Sequence, residues 1–347
     1  MEAIENSPQL LPPGSVAVLI PAWEPNEQLI DLVQSLARLY FAAIVVVNDG
    51  SGEEYDHLFS RASAIPGVVV LRHTQNRGQG CAVRTAMRYV FDRLPALIGV
   101  VTADADGQHA IEDIARMAKA LASGATRPVL GVRTFDQGVP LRSRFGNILT
   151  RYVFRFFSGV TITDTQSGLR AIPQRWLAEA LLARGDRFEF AIGFLAHFCR
   201  IGAPPAEVPI ATIYFDGNRS SHFKPLQDSM RIYLFLLRSF AASWAPECID
   251  IAGFALTYAL LSNLAWAVVA GRLGAIATLA LDRHFAHGTT GISKDYFRRR
   301  VFSLAVTGVV CFAAIWALAR GMGWNAIAAK IVVEFVLYAV SGAMRSI

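Results

Sequence analysis

The chain has 347 residues, of which 53% are hydrophobic and only 17% charged, and its formal net charge is +6. A soluble enzyme of this length carries about a quarter charged residues, so the composition excludes a disordered chain and argues against a wholly soluble one. The charges are unevenly spread: residues 1–239 hold 24 bases and 22 acids, residues 240–347 nine bases and five acids, which predicts a soluble part followed by a membrane part.

Residues 1–14 form a polar, acidic tail without the apolar stretch of a signal peptide, so the soluble part is expected to stay in the cytoplasm. Residues 16–20 are a short apolar run ending in Pro21, the pattern of a buried parallel strand. Residues 27–39 follow with helical spacing of Leu29, Ile30, Val33, Leu36 and Ala37. A second strand over 43–47 stops at the turn cluster Asn48-Asp49-Gly50-Ser51. A third, 68–71, leads through the Gly-punctuated loop 76–80 into a helix ending near Asp92, and a fourth, 97–102, runs into Ala103-Asp104-Ala105-Asp106-Gly107-Gln108. This alternation predicts a doubly wound α/β sheet, in which ligands bind at the carboxyl ends of the strands. Loops 21–27, 48–51 and 104–108 all fall there.

Asp104 and Asp106 stand two positions apart, and side chains at that spacing share one face of a strand. Followed by Gln108, such a pair can hold a hard divalent cation that bridges a diphosphate. Asp49 can accept hydrogen bonds from a nucleobase or ribose, or it can close its strand as an Asx turn. Loop 76–80 lacks the G-K-[ST] ending of a P-loop, yet glycines opening a helix let an anion approach. The histidines show no zinc spacing and are expected to be ordinary surface or core residues. The four cysteines form no CxxC and are expected to be isolated thiols. Arg outnumbers Lys by 29 to 4 with no basic tract interleaved with aromatics, which points to phosphates and anionic lipid rather than nucleic acid.

Residues 223–240 place Met230, Tyr233, Leu234, Leu236, Leu237 and Phe240 beside Arg231 and Arg238, the pattern of an amphipathic interfacial helix. Phe145, Phe154, Phe156 and Phe157 give the segment before it a similar character, with core packing as the alternative. Beyond 240, residues 251–271 and 301–319 are uncharged and long enough to cross a bilayer. A four-helix register of 241–261, 263–283, 300–320 and 323–343 puts a tight turn at Ser262-Asn263. It gathers Arg283, Lys294, Arg298, Arg299 and Arg300 on one side, which positive-inside logic assigns to the cytoplasm. Asp250, Arg272, Lys330 and Glu334 then lie in or near the apolar layer, either pairing with one another or forming a polar seam for a headgroup or partner.

Several ordered motifs carry a family resemblance: Val18-Leu19-Ile20-Pro21-Ala22-Trp23, Val47-Asn48-Asp49-Gly50-Ser51, Asp104-Ala105-Asp106-Gly107-Gln108, Asp164-Thr165-Gln166-Ser167-Gly168-Leu169-Arg170, Glu207-Val208-Pro209-Ile210 and Arg219-Ser220-Ser221-His222-Phe223. Over about 15–238 the chain resembles family 2 glycosyltransferases of GT-A fold, in their polyprenyl-phosphate, dolichol-phosphate mannosyltransferase-like branch. Residues 241–347 are similar to a GtrA-like four-helix membrane domain. The resemblance implies a soluble GT-A domain over 15–222, with inverting transfer of a sugar from a nucleotide-diphosphate donor to undecaprenyl or dolichyl phosphate at the cytoplasmic membrane.

It also implies Mg2+ or Mn2+ held by Asp104, Asp106 and Gln108, with Asp104, Asp106 and Arg133 as catalytic residues. Donor contacts would come from Pro21, Ala22, Glu24, Glu27, Asp49, Arg77, Gly78, Asp104 and Arg219, and acceptor-phosphate contacts from Arg133, Arg142, Arg144 and Asn147. The first loop departs from the family's Pro-Ala-Tyr-Asn-Glu, which leaves Glu24 and Glu27 as alternatives. Asn48 replaces one acid, and His222 stands where a Lys is frequent. Gln174-Arg175-Trp176 is too tight for the Q-x-x-R-W of processive synthases. A transport or anchoring role for the tail and a sugar nucleotidyltransferase activity are the competing functions. Related membrane transferases can be tetramers, and the less apolar second and fourth spans would pack better in a homo-oligomer.

Overall fold

Strand β1 (Val16–Ala22) is buried along nearly its whole length, as a strand covered on both faces must be. In the computed structural model, which describes residues 14–39, 41–133, 148, 150–155, 158–211, 225–285 and 294–344, it is an interior strand flanked on both sides. It pairs in parallel with β2 (Ala43–Asn48) on one side and β4 (Gly99–Thr102) on the other, and β3 (Val68–Arg72) extends the sheet beyond β2. With β5 (Val129–Arg133), β6 (Arg170–Pro173) and β7 (Ala206–Ile210) the order is β3-β2-β1-β4-β6-β5-β7. The sheet is mostly parallel, as expected, with one exception: β6 is antiparallel to both β4 and β5. Its direction brings Gly168 and Arg170 to the edge where β4 ends.

Amphipathic helices cover the sheet. Helix α1 (Gln28–Ala37) buries Leu29, Ile30, Leu32, Val33 and Leu36, the i, i+3, i+4 stripe that drives such packing. Helices α2 (Asp56–Ser63), α3 (Gln79–Arg93), α4 (Ile111–Ala122), α5 (Leu177–Leu181) and α6 (Phe190–Arg200) follow. The core of one sheet face combines Val18, Ile20, Val46 and Val101 with Leu29, Val33, Ile114 and Met117. On α6, burial pushes the Cys199 thiol up to about 12. Cys199 is therefore expected to resist iodoacetamide at about pH 8 until the protein unfolds, which mass spectrometry of labelled peptides would read.

The chain divides into two compact units, Met1–Phe235 and Leu236–Ile347. Helix α7 (Pro225–Leu261) contains Pro246, and residues 225–240 of the expected interfacial segment and the expected span 241–261 fall on this one helix. The second unit continues with α8 (Leu264–Phe285), α9 (Lys294–Trp316) and α10 (Ala326–Met344). The break between α7 and α8 falls at Ser262, whose φ is 49°. Asn263 Oδ1 then accepts from the N–H groups of Ala265 and Trp266 at 3.0 and 3.2 Å, which caps α8. Among the described residues one helical stretch, Val301–Gly321, is long and apolar enough to cross a membrane, and Leu264–Thr278 is a shorter apolar helix.

Inside this unit the four expected charges pair with one another. Lys330 Nζ lies 2.9 Å from Asp250 Oδ2 and 2.7 Å from Glu334 Oε1, and Arg272 reaches the same two oxygens at 2.8 and 2.6 Å. Removing one partner of a buried ion network leaves an uncompensated charge, at a cost of about 3–5 kcal/mol. Lys330→Met is therefore expected to lower the melting temperature in detergent by several degrees, and the double change with Asp250→Leu to recover part of the loss.

Candidate active site

The carboxyl ends of β2, β1 and β4, adjacent in the sheet, bring the three loops together. Asp49 N–H donates to Ala22 O at 2.8 Å, which ties the tips of β2 and β1. Glu24 occupies the left-handed region at φ 48°, and its N–H donates to Ser51 Oγ at 2.9 Å. For a non-glycine residue that conformation is uncommon and stores strain, a feature that concentrates at functional loops. Glu27 turns away: it is exposed and pairs with Arg61 at 2.7 Å. Of the two alternatives, Glu24 is thus the acid held beside the 48–51 turn.

Asp49 is almost fully buried, and its carboxylate organises the next loop. Oδ1 accepts from Arg77 N–H at 3.0 Å and Oδ2 from Gly78 N–H at 2.7 Å. His73 Nδ1 lies 2.6 Å from Oδ1, and its Nε2 lies 2.9 Å from Thr85 Oγ1. Gly78, at φ 100°, makes the turn from this grip into α3 in a conformation that a side chain would resist. The base or ribose contact expected of Asp49 is therefore not offered by a free carboxylate here. Its oxygens hold the backbone at Arg77 and Gly78 instead.

Asp104 follows β4 and is half-buried. Gln79 Nε2, one residue beyond Gly78, donates to its Oδ1 at 2.7 Å, and His109 Nε2 lies 3.1 Å from its Oδ2. Burial works against the charged form. The His109 hydrogen bond and the positive charges of His109, Arg133 and Arg170 outweigh it and hold the carboxyl below the ordinary range. Asp106 goes the other way: burial and the charge of Asp104 push it up to about 6, although its Oδ1 accepts from Gln108 N–H at 3.1 Å. The site thus holds two neighbouring oxygen-donor groups that repel each other, a set that a hard divalent cation relieves. Among the described residues no cluster of three or more His, Cys, Asp and Glu side chains could hold a metal. Two carboxylates at the end of one strand fit an ion shared with substrate phosphates, as Mg2+ commonly binds.

From the far side of the sheet, Arg133 at the end of β5 forms a two-point pair with Asp164, Nε to Oδ2 at 2.6 Å and Nη2 to Oδ1 at 3.0 Å. Asp164 is fully buried, and the Arg133 fork overcomes burial to keep its carboxyl below the usual range. Arg170 is also buried: its guanidinium donates to the carbonyls of Ser167 and Ala191 and lies 4.7 Å over the Phe194 ring. Burial pushes Arg170 down to about 10, against the charges of Asp104 and Asp164.

A sequence model of Glycosyl transferase family 2 matches residues 17–180. The chain is 30% identical over 211 residues to a protein of unassigned function from Methanocaldococcus jannaschii, a match covering 59% of this chain and 84% of that one. The chain belongs to glycosyl transferase family 2. This glycosyltransferase is also 29% identical over 219 residues, 57% of its own length and 86% of the other, to the UDP-N-acetylglucosamine--dolichyl-phosphate N-acetylglucosaminyltransferase of Methanococcus voltae. Its fold is similar to that of glucosyl-3-phosphoglycerate synthase from Mycobacterium tuberculosis, crystallised with Mn2+, UDP and glucosyl-3-phosphoglycerate, with a TM-score of 0.50, 17% identity and coverage of 65% of this chain and 80% of that one. That likeness supports the mixed α/β sheet expected of a GT-A domain.

In the glycosyltransferase, Pro21, Ala22, Glu24, Asp49, Arg77, Gly78, Asp104, Asp106 and Gln108 gather at one edge of the sheet, whereas Glu27 does not join them. Arg133, expected to clamp an acceptor phosphate, lies within electrostatic reach of Asp104, and its Nε–Nη2 edge is engaged by Asp164. Arg142, Arg144, Asn147 and Arg219 fall outside the described residues, as do Phe145, Phe156, Phe157 and His222. Sequence reasoning missed Gln79, and it assigned His73 and His109 to ordinary positions. Both are buried, and each meets an acid of the strand-end loops, His73 at Asp49 and His109 at Asp104. The available signal was position: each lies within a few residues of a loop at the carboxyl ends of the strands.

Proposed function

We propose that this glycosyltransferase moves a sugar from a nucleotide-diphosphate donor to a polyprenyl phosphate at the cytoplasmic face of a membrane that holds its C-terminal, GtrA-like unit. The observation that carries the reading is the Asp104–Asp106 pair at the end of β4, where Asp106 is pushed up to about 6 by burial and by its neighbour. A site that keeps two acids in mutual repulsion is suited to a cation-bridged diphosphate. The similarity to a dolichyl-phosphate N-acetylglucosaminyltransferase supports the acceptor class.

The chemistry follows from the two phosphorus groups. A phosphate monoester is ionised near neutral pH, so one of its oxygens attacks the anomeric carbon without a strong general base. The new C–O bond forms as the bond to the nucleoside diphosphate breaks, which inverts the anomeric centre. Catalysis is then positioning and charge stabilisation. Asp104, Asp106 and Gln108 would hold Mg2+ or Mn2+, which when bound neutralises charge developing on the leaving diphosphate. Glu24 and the backbone at Arg77 and Gly78, gripped by Asp49, shape the donor side. Arg133 contributes positive charge near Asp104. Arg142, Arg144 and Asn147 are assigned to the acceptor phosphate and Arg219 to the donor diphosphate.

A lipid acceptor needs a face turned to the bilayer. Met230 and Leu234, one turn apart on α7, are 60% and 56% exposed, and Tyr152 is 68% exposed. Thr150 and Tyr233 meet at 3.4 Å between their hydroxyls, so the two segments adjoin. This exposed apolar surface supports contact with lipid.

The test is a panel of UDP- and GDP-sugars offered with undecaprenyl phosphate to the full chain in detergent, read by mass spectrometry of the lipid. Undecaprenyl phosphate heavier by one sugar residue with one donor is the expected result, its inverted anomeric configuration read by NMR of the product. Pyrophosphate release without any need for lipid would establish a sugar nucleotidyltransferase and overturn the reading.

A further inference from the structure

The two oxygens of Asp104 are gripped from opposite sides by groups that arrive from distant parts of the chain. Gln79 reaches Oδ1 from the first residue of α3, at 2.7 Å. Its placement is fixed one residue earlier, where Asp49 Oδ2 holds the N–H of Gly78. His109, 8% exposed, reaches Oδ2 at 3.1 Å from the loop before α4. A carboxylate only accepts, so the imidazole nitrogen facing it is the protonated one.

The third side is closed by backbone. A Cβ placed on Gly168 would lie 2.5 Å from Asp104 Oδ2 and 2.8 Å from Oδ1, closer than any real contact of that kind. Gly168 is pinned in turn: its carbonyl accepts from Thr102 Oγ1 at 2.6 Å, and Arg170 N–H donates to the same hydroxyl at 3.2 Å. The Asp104 carboxylate therefore has one orientation open to it, set by an amide, an imidazole and a glycine. Asp106, by contrast, accepts from the backbone N–H of Gln108 at 3.1 Å.

We infer that Gln79, His109 and Gly168 are positioning residues, which fix the Asp104 carboxylate in the orientation that takes the cation and donor diphosphate. The inference rests on reading Asp104 and Asp106 as the donor-diphosphate site. Outer partners of a ligating carboxylate typically change metal affinity by 10- to 100-fold when removed. Their role separates from plain packing because it acts on affinity at a defined ion.

The experiment measures Mn2+ affinity of the full chain in detergent by the EPR signal of free Mn2+, with and without UDP, alongside the melting temperature. Gln79→Leu and His109→Phe, each close in size to the original, are expected to weaken Mn2+ binding at least about 10-fold with little change in melting temperature. Gly168→Ala should do the same by displacing the carboxylate. His109→Gln, which keeps an N–H donor near the Nε2 position, should restore affinity to within about 3-fold of the unmodified protein. Wild-type Mn2+ affinity in Gln79→Leu and His109→Phe, with Asp106→Asn still losing it, would overturn the positioning role alone. Wild-type affinity in Asp106→Asn and Asp104→Asn would instead overturn the site reading. If His109→Phe does not fold, His109→Gln and Gln79→Leu still decide: a loss in the second without retention in the first rejects the imidazole's part.

Discussion

Asp106→Asn is expected to lower sugar transfer to a polyprenyl phosphate by about 10³-fold, while the protein keeps or slightly raises its melting temperature. The two halves of that expectation have one cause. In the folded protein the Asp106 carboxyl is pushed up to about 6 by burial and by the charge of Asp104, so its ionised form is a strain on the fold rather than a support. Asn has the same shape, keeps an oxygen to accept from Gln108 N–H and removes the repulsion. What it cannot supply is the second negative charge toward a diphosphate-bound cation. Loss of a preorganised electrostatic contact to developing charge typically costs two to three powers of ten in rate. Transfer measured by mass spectrometry of the lipid, together with a thermal melt, reads both quantities. A rate within about 3-fold of the unmodified enzyme would remove Asp106 from the chemistry.

Asp164→Asn is expected to have the opposite character, destabilising first and impairing catalysis as a consequence. Asp164 has no exposure, and its two oxygens receive the Nε and Nη2 donors of Arg133 as well as Gln166 N–H at 3.0 Å. Breaking a fully buried pair by removing one charge costs about 3–5 kcal/mol. The Arg133 side chain is about a quarter exposed, so about 2 kcal/mol is expected, or roughly 5 °C in melting temperature.

The pH dependence gives the sign. The folded Asp164 carboxyl lies below its ordinary value of 3.8, so the folded state binds its proton less readily than the unfolded chain. Its stabilisation is complete above that ordinary value and is lost as pH falls below it toward the folded value. Melting temperature should therefore fall more steeply between about pH 5 and pH 3 in the unmodified protein than in Asp164→Asn. Equal slopes would show that Asp164 is not the depressed acid.

Much of this architecture is written in local pattern. The all-apolar run before Pro21, the stripe on α1 and the turn residues after each strand specify β1, α1 and β2 with little help from elsewhere, because burial on both faces and one-sided burial have different periods. The place of Asp104 and Asp106 at a strand end was legible because an apolar run that stops at two acids reads as a strand entering its terminal loop. The departures lie where partners are far apart in sequence. Nothing in the run that ends at Arg133 announces that its guanidinium will meet Asp164, 31 residues later. Glu27 looks like a loop acid until Arg61, 34 residues on, draws it to the surface. Asp49 could have faced a ligand, and the choice was made by the backbone of Arg77 and Gly78 closing over it.

The sequence by itself determined that the chain has two parts of different charge density, that the first is an α/β domain with acids at its strand ends, and that the second carries four ionisable residues among apolar ones. Composition and periodicity act within a window of a few residues and decide those properties. Which oxygen each donor meets was decided only by tertiary structure. The antiparallel course of β6 sets Gly168 against Asp104, the turn at Gly78 aims Gln79 at it, and the packing of α7, α8 and α10 joins Asp250, Arg272, Lys330 and Glu334 into one neutral cluster. A buried charge needs a partner, and only the fold says which partner is within reach.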